Sequence, residues 1–358
     1  MPKALLFIPD ISGYTRFINN TEISHQQHII TELLEILLDT NDIGLELAEV
    51  EGDALFMYKA DQIPDPEEIL SLVRRMFIRF HSHLRYYDQY RICHCGACEG
   101  ATGLNLKFVV HQGEVSYLRL KDFKPKPQGR EVILAHRLLK NDIESKEYIL
   151  LSHAMEQVSK NQILEIINAK TLQSGQQQYG NEDVGLISYH YADLGHLKNH
   201  VEEPEALRPA HINPNPLILE KKINIKPVDL FEIMINFDHR LKWNPGVEKI
   251  TYDEKEMNKS GSQHICIIQG KEIEFETIQG PKEPGVWSFG EKSKVPIIGE
   301  VYVYFMIYPD EIGSKLKVEV HPNPSSRWIN LILPLFKRKY RSILKDLLSN
   351  LKSYAESI

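Results

Sequence analysis

The stretch Leu5–Tyr14, LLFIPDISGY, and the later stretch Val50–Tyr58, VEGDALFMY, decide how this chain is read. Each sets one aspartate, Asp10 or Asp53, beside or near a glycine at the end of a run of strand-forming residues. Two acids delivered to strand ends by separate parts of one sheet can clamp a divalent cation. Hard cations such as Mg²⁺ take one or two carboxylates together with phosphate oxygens. A neighbouring glycine lets phosphates come close to the backbone. Aspartate next to glycine is also ordinary turn chemistry, and either motif alone reads first as a turn.

At 358 residues the chain is long for one domain, so two are expected. Its 25% charged and 42% hydrophobic residues are those of a globular protein, and the net charge of −7 gives no reason to expect a nucleic-acid partner. No apolar run approaches the roughly 20 residues needed for a transmembrane segment. No secretory leader pattern precedes the first strand. Four cysteines, three of them crowded together, do not make a disulfide framework. A cytoplasmic protein is expected.

Outward from the first motif, Ala4–Ile8 reads as a strand, and Ile29, Ile30, Leu33, Leu34 and Leu37 supply the apolar face of a helix. Ile43–Val50 and Ala54–Tyr58 read as a hairpin with Gly52-Asp53 at its tip. Pro66 opens a long helix over Glu67–Tyr87. Leu104–His111 and Glu114–Leu120 read as a second hairpin around Gln112-Gly113, and Gly129-Arg130-Glu131 opens another helix. Tyr148–Leu151 and Leu186–His196 read as late strands, with Lys170–Gly180 as a loop. This order is a ferredoxin-like α+β plan.

These pieces resemble the catalytic domain of class III adenylyl and guanylyl cyclases over residues 1–200. FIPDISGYT at Phe7–Thr15 and EVEGDALFMY at Glu49–Tyr58 are similar to the family's two metal motifs. LKFVVHQGEV at Leu106–Val115 and GREVILAHRLL at Gly129–Leu139 are similar to its central hairpin and signature helix. The resemblance implies that Asp10, Asp53 and the Ile11 carbonyl bind Mg²⁺ or Mn²⁺, and that Ser12, Gly13, Tyr14 and Thr15 cradle the phosphates of a nucleoside triphosphate. It implies that Arg137 stabilises charge on the α-phosphate. The family's ribose-orienting asparagine falls on Ile133, which donates no hydrogen bond, and losing such a donor costs about 10²–10³ in rate. His136 is set aside because its neighbour position on a helix points elsewhere. Base choice falls on Glu49 and Lys126, an acceptor and donor pair that favours guanine over adenine; the alternative is that the two form a salt bridge with each other. The resemblance also implies a homodimer, with metal acids from one chain and arginine from the other.

Cys93, Cys95 and Cys98 crowd a short insertion with His94 between them. Three thiols so close can hold Zn²⁺ or an iron–sulfur centre, with His94, His81 or His83 as fourth ligand. The alternative is a loop of reduced or redox-sensitive thiols.

The Pro-rich stretch 201–216 reads as a linker, and 217–358 as a second domain. Leu217–Ile225 is a strand, Pro227 opens a helix and Leu241–Val247 is a loop. Five strands follow, Ser262–Gln269, Lys271–Gln279, Gly285–Phe289, Val301–Tyr308 and Ser314–Val320, and a long helix over Ser326–Ala355 ends the chain. This plan, and the run PVDLFEIMINFDHRLKWNPGV at Pro227–Val247, resemble the START-like helix-grip fold, also called SRPBCC or polyketide cyclase-like. The resemblance implies a cavity for a small hydrophobic ligand. Trp243, Trp287, Phe289 and Phe305 are its candidate lining, and equally candidate core. Trp328–Phe336, followed by Lys337, Arg338, Lys339 and Arg341, either packs over the sheet or rests on an anionic membrane; packing is expected.

Two function classes follow. One is a metal-dependent nucleotide cyclase acting in signalling, slowed by Ile133 and regulated by an apolar ligand. The other is a catalytically inactive module of the same fold that senses a nucleotide or binds a partner.

Overall fold

A computed structural model describes residues 1–19, 23–93, 96–121, 124–179, 185–205, 211–253, 259–324 and 326–358. The chain divides into two units, Met1–Tyr86 with Gly96–Pro204, and Tyr87–Cys95 with Glu205–Ile358.

The first unit is built on β1 (Lys3–Ser12), whose residues Ala4–Ile8 are all buried. A strand covered on both faces needs apolar residues at every position, which is why LLFI does not alternate. After it come α1 (Tyr14–Asn19), α2 (Ile23–Asp39), β2 (Glu46–Glu51), β3 (Ala54–Ala60), α3 (Pro66–Tyr90) and the short α4 (Gly96–Gly100). Next are β4 (Asn105–Glu114), β5 (Ser116–Leu118), β6 (Lys126–Gln128) and α5 (Arg130–Leu138). β7 (Tyr148–Ser152), α6 (Lys160–Ile166), β8 (Gln173–Tyr179) and β9 (Gly185–Asp193) complete it. The sheet runs β2-β3-β1-β4-β7-β9-β8, with β4 and β7 parallel and the other neighbours antiparallel. Leu6, Ile8, Phe56, Val109 and Leu150 form one core face, which Ala135 and Leu138 of α5 cover.

Two expectations fail here. Gln112-Gly113 is not a turn: β4 runs straight through it, pairing Gly113 with Ala4, and the hairpin instead joins β5 to β6. A Cβ on Gly113 would stand 2.4 Å from Glu131 Cγ, so this glycine makes room for a helix rather than reversing the chain. Lys170–Gly180 is not all loop, because Gln173–Tyr179 forms β8, at the edge of the sheet. An edge strand can be polar on both faces, and its Gln and Ser residues hide the alternation that marks a half-buried strand.

The second unit contains β10 (Leu217–Ile223), α7 (Pro227–Ile235), α8 (Phe237–Trp243) and β11 (Val247–Tyr252). It continues with β12 (Gln263–Ile268), β13 (Lys271–Gln279), β14 (Trp287–Val295), β15 (Gly299–Asp310), β16 (Gly313–Pro324) and α9 (Leu333–Ala355). All neighbours in the sheet β10-β16-β15-β14-β13-β12-β11 are antiparallel. Residues read as a loop from Leu241 begin inside α8, whose Asn236 cap accepts from the Asp238 and His239 amides. The last helix starts at Leu333, not Ser326, because Arg327–Leu331 is a separate 3₁₀ turn. α9 buries Leu344, Leu348, Leu351 and Ala355, a stripe at helical spacing.

Trp243 and Phe305 are buried, and Trp287 packs on Phe231. The cavity beside Phe289 measures about 10 Å³ and is bordered by Ile92, Ile235 and Phe237 as well as Arg240, Ser262, Thr277 and Glu291. That is room for about one water molecule, too little for an apolar ligand.

Candidate active site

Antiparallel pairing sets Asp10 of β1 opposite Ala54 of β3 on one side and Lys107 of β4 on the other. Asp53 ends the β2–β3 turn, and the Ile11 amide donates to its carbonyl at 3.0 Å. Asp10, Ile11 and Asp53 are therefore brought together at one end of the sheet. Gly52 holds that turn at φ +67°, where a β-carbon would be strained.

Burial pushes the Asp10 carboxyl up to about 6, with Asp53 and Glu51 adding to the rise and Lys107 opposing it. Burial also raises Asp53. The Lys107 ammonium stands 3.6 Å from Asp10 Oδ1. Arg137 stands in the last turn of α5, four positions after Ile133.

At the end of β1, Ser12 Oγ is buried without a hydrogen-bond partner among the described residues. Gly13, at φ +95°, turns the chain into α1, and its carbonyl accepts from the Phe17 amide at 3.0 Å. Tyr14 opens α1 with its ring 3.9 Å from where a Gly52 Cβ would lie, and Thr15 is exposed. Two half-buried carboxylates whose proton affinity burial raises, with an unpartnered hydroxyl two residues along β1, are hard oxygen donors of the kind a divalent cation takes.

Glu49 of β2 and Lys126 of β6 form an ion pair. Two further residues bear on this end of the sheet, Lys107 beside Asp10 and His136 beside Glu51. His136, set aside above, has Nδ1 3.2 Å from Glu51 Oε2 and its ring against Phe56. Lys107 had one signal only, a charge inside an apolar strand run. Behind the site, the buried His111 joins β4 to its neighbours: its Nδ1 lies 2.6 Å from Ser152 Oγ and its Nε2 2.8 Å from Glu131 Oε2. That contact pins the start of α5, and with it the helix that carries Arg137. Burial lowers the His111 proton affinity, against the pull of Glu131.

The cysteine cluster falls partly on residues 94–95, outside the described residues. Cys93 and Cys98 are buried. His81 lies 3.0 Å from Glu147, and His83 3.2 Å from Glu32, so both suggested fourth ligands face carboxylates. No group of three or more metal-ligating side chains is found among the described residues.

A family model described as "Protein of unknown function (DUF2652)" matches residues 30–148. The "Uncharacterized protein Rv2561/Rv2562" of Mycobacterium tuberculosis is 30% identical over 168 residues, which is 46% of this chain and 73% of that protein. The chain belongs to the family of this mycobacterial protein. Two solved structures are also similar. The adenylyl cyclase CyaB from P. aeruginosa matches at 16% identity and TM-score 0.36, over 53% of this chain and 93% of its own. The guanylate cyclase domain of RhGC from Catenaria anguillulae, in complex with GTP, matches at 15% identity and TM-score 0.36, over 53% of this chain and 96% of its own. No helix among the described residues is long and apolar enough to cross a membrane.

Proposed function

We propose that the first unit binds a nucleoside triphosphate through a divalent cation and, as a homodimer, closes it to a 3′,5′-cyclic nucleotide, the 3′-oxygen bonding to the α-phosphorus as the α–β phosphoanhydride bond breaks and pyrophosphate leaves, in the manner of class III cyclases. The observation that carries this reading is the placement of Asp10 at the end of β1 next to the turn that carries Asp53, joined by the Ile11 amide donating to the Asp53 carbonyl, with the Ser12 hydroxyl unpartnered among the described residues. Asp10, Asp53 and the Ile11 carbonyl would hold Mg²⁺ or Mn²⁺. Such an ion neutralises phosphate charge and lowers the proton affinity of an attacking hydroxyl. Lys107 keeps the Asp10 carboxylate ionised more than burial alone would. Ser12, Gly13, Tyr14 and Thr15 would contact phosphates, and Arg137 of a partner chain would steady charge at the α-phosphate. Glu49 and Lys126, already side by side, present an acceptor and a donor that suit guanine once their mutual contact opens. The second unit is read as a START-like domain.

A second reading is favoured by Ile133, an apolar side chain 51% exposed where a ribose-orienting donor is needed. In that reading the unit binds nucleotide or a partner without turnover. Incubating the full chain with Mn²⁺ and each ribonucleoside triphosphate, with mass-spectrometric detection of cyclic product, decides between them. Product that Asp10→Ala or Asp53→Ala abolishes supports the cyclase. No product from a protein that still binds metal and nucleotide supports the second reading.

A further inference from the structure

The start of α9 and the turn before it leave large apolar side chains in solvent. Trp328 is 81% exposed, Leu331 75% and Leu335 69%. The expectation that this stretch packs over the sheet fails for these three residues. Pro334 begins α9 anew, so the preceding 3₁₀ turn is off the helix stripe that packs, which runs from Tyr340 through Leu344, Leu348 and Leu351. Ile297, 78% exposed at the β14–β15 hairpin tip, belongs to the same end of the sheet, since Gly299 pairs with Pro324. Exposed apolar residues grouped in this way mark an interaction surface rather than ordinary surface scatter.

The charge beside them has one sign. From Val320 to Lys345 there is no aspartate or glutamate, while Arg327, Lys337, Arg338, Lys339, Arg341 and Lys345 fall there, in a chain of net charge −7. Arg338, Lys339 and Arg341 are exposed and make no ion pair among the described residues. A nucleic acid would use these bases but would have no use for Leu331 and Leu335. An anionic bilayer uses both: tryptophan and leucine enter the boundary between headgroups and acyl chains, and the bases meet lipid phosphates.

We propose that Trp328, Leu331 and Leu335, flanked by the bases of α9, dock the second unit on an anionic lipid surface without spanning it. The test uses the full chain with vesicles of phosphatidylcholine alone and of phosphatidylcholine mixed with phosphatidylglycerol. Co-sedimentation and a blue shift of tryptophan emission are expected with the mixed vesicles only. Trp328→Ser with Leu335→Ser should abolish both. These positions are exposed, so circular dichroism should be unchanged. Arg338→Glu, Lys339→Glu and Arg341→Glu together should weaken vesicle binding by about 100-fold or more. No binding to the mixed vesicles overturns the proposal. So does binding that survives the Trp328 and Leu335 substitutions, and so does a lipid-free dimer that those substitutions dissociate, because a second copy would then cover the patch.

Discussion

The Lys107 ammonium lies 3.6 Å from Asp10 Oδ1, across the β1–β4 pairing, so the more deeply buried of the two candidate metal-binding acids has a cation beside it. That cation does not offset the cost of burial, and the Asp10 carboxyl still stands at about 6 rather than 3.8. The folded state therefore holds this proton more tightly than the unfolded chain does. The stabilisation is full below about pH 4 and is lost as pH rises through about 6, up to roughly 3 kcal/mol.

Asp10→Asn should remove that dependence and, without added metal, stabilise the protein at pH 7 by about 1–3 kcal/mol. Urea denaturation at pH 5 and pH 7 measures it. A variant less stable than the parent at pH 7 would show that the carboxylate is well compensated in the fold.

Millimolar Mn²⁺ should raise the melting temperature of the parent protein and leave Asp10→Asn and Asp53→Asn unchanged. A cation at 100 times its Kd adds about 2.7 kcal/mol to the folded state. Calorimetry with and without Mn²⁺ reads this directly, whether or not the protein turns over a nucleotide.

Ile133→Asn should raise cyclic-nucleotide formation by about 10-fold or more if the cyclase reading holds, since a transition-state donor is worth about 10²–10³ in rate. The side chain is half in solvent, so little stability should be lost. Unchanged turnover would argue that this helix does not meet the ribose.

Gly113→Ala should cost about 1–3 kcal/mol, because its Cβ would press on Glu131. Adding Glu131→Ala removes the obstacle, so the pair should be less damaging than the sum of the single changes. A double-mutant cycle by denaturant titration checks it. Additive losses would mean that Gly113 matters for another reason.

In the second unit, Arg240 Nη2 and Glu291 Oε1 are 2.5 Å apart and buried, with His264 Nε2 3.3 Å from Arg240 Nη1. Glu291→Ala should destabilise by about 3–5 kcal/mol, since it strands a buried guanidinium. Burial holds His264 down at about 4. The unfolded chain therefore takes up this proton first, and that stability, present above about pH 6.5, is lost as pH falls through about 4. Thermal melts from pH 4 to 7 of the parent and of His264→Phe separate the contribution of this residue.

Local signals in this chain are legible from the residues alone. The run Ala4–Ile8 reads as a strand, Pro66 as the start of the long helix, and the two aspartate- and glycine-bearing motifs single out Asp10 and Asp53, because each signal is carried by neighbouring residues. The rest depends on how distant segments meet. Gly113 looked like a turn because only the approach of Glu131, distant in sequence, reveals why no side chain fits there. Gln173–Tyr179 looked like a loop because an edge strand takes its hydrogen bonds from a partner that local pattern does not show. Lys107 and His136 joined the site through sheet register and helix packing. The solvent exposure of Trp328 followed from where α9 begins to pack. Proximity of residues far apart in the chain is set by how the elements meet, and no local run of residues encodes that meeting.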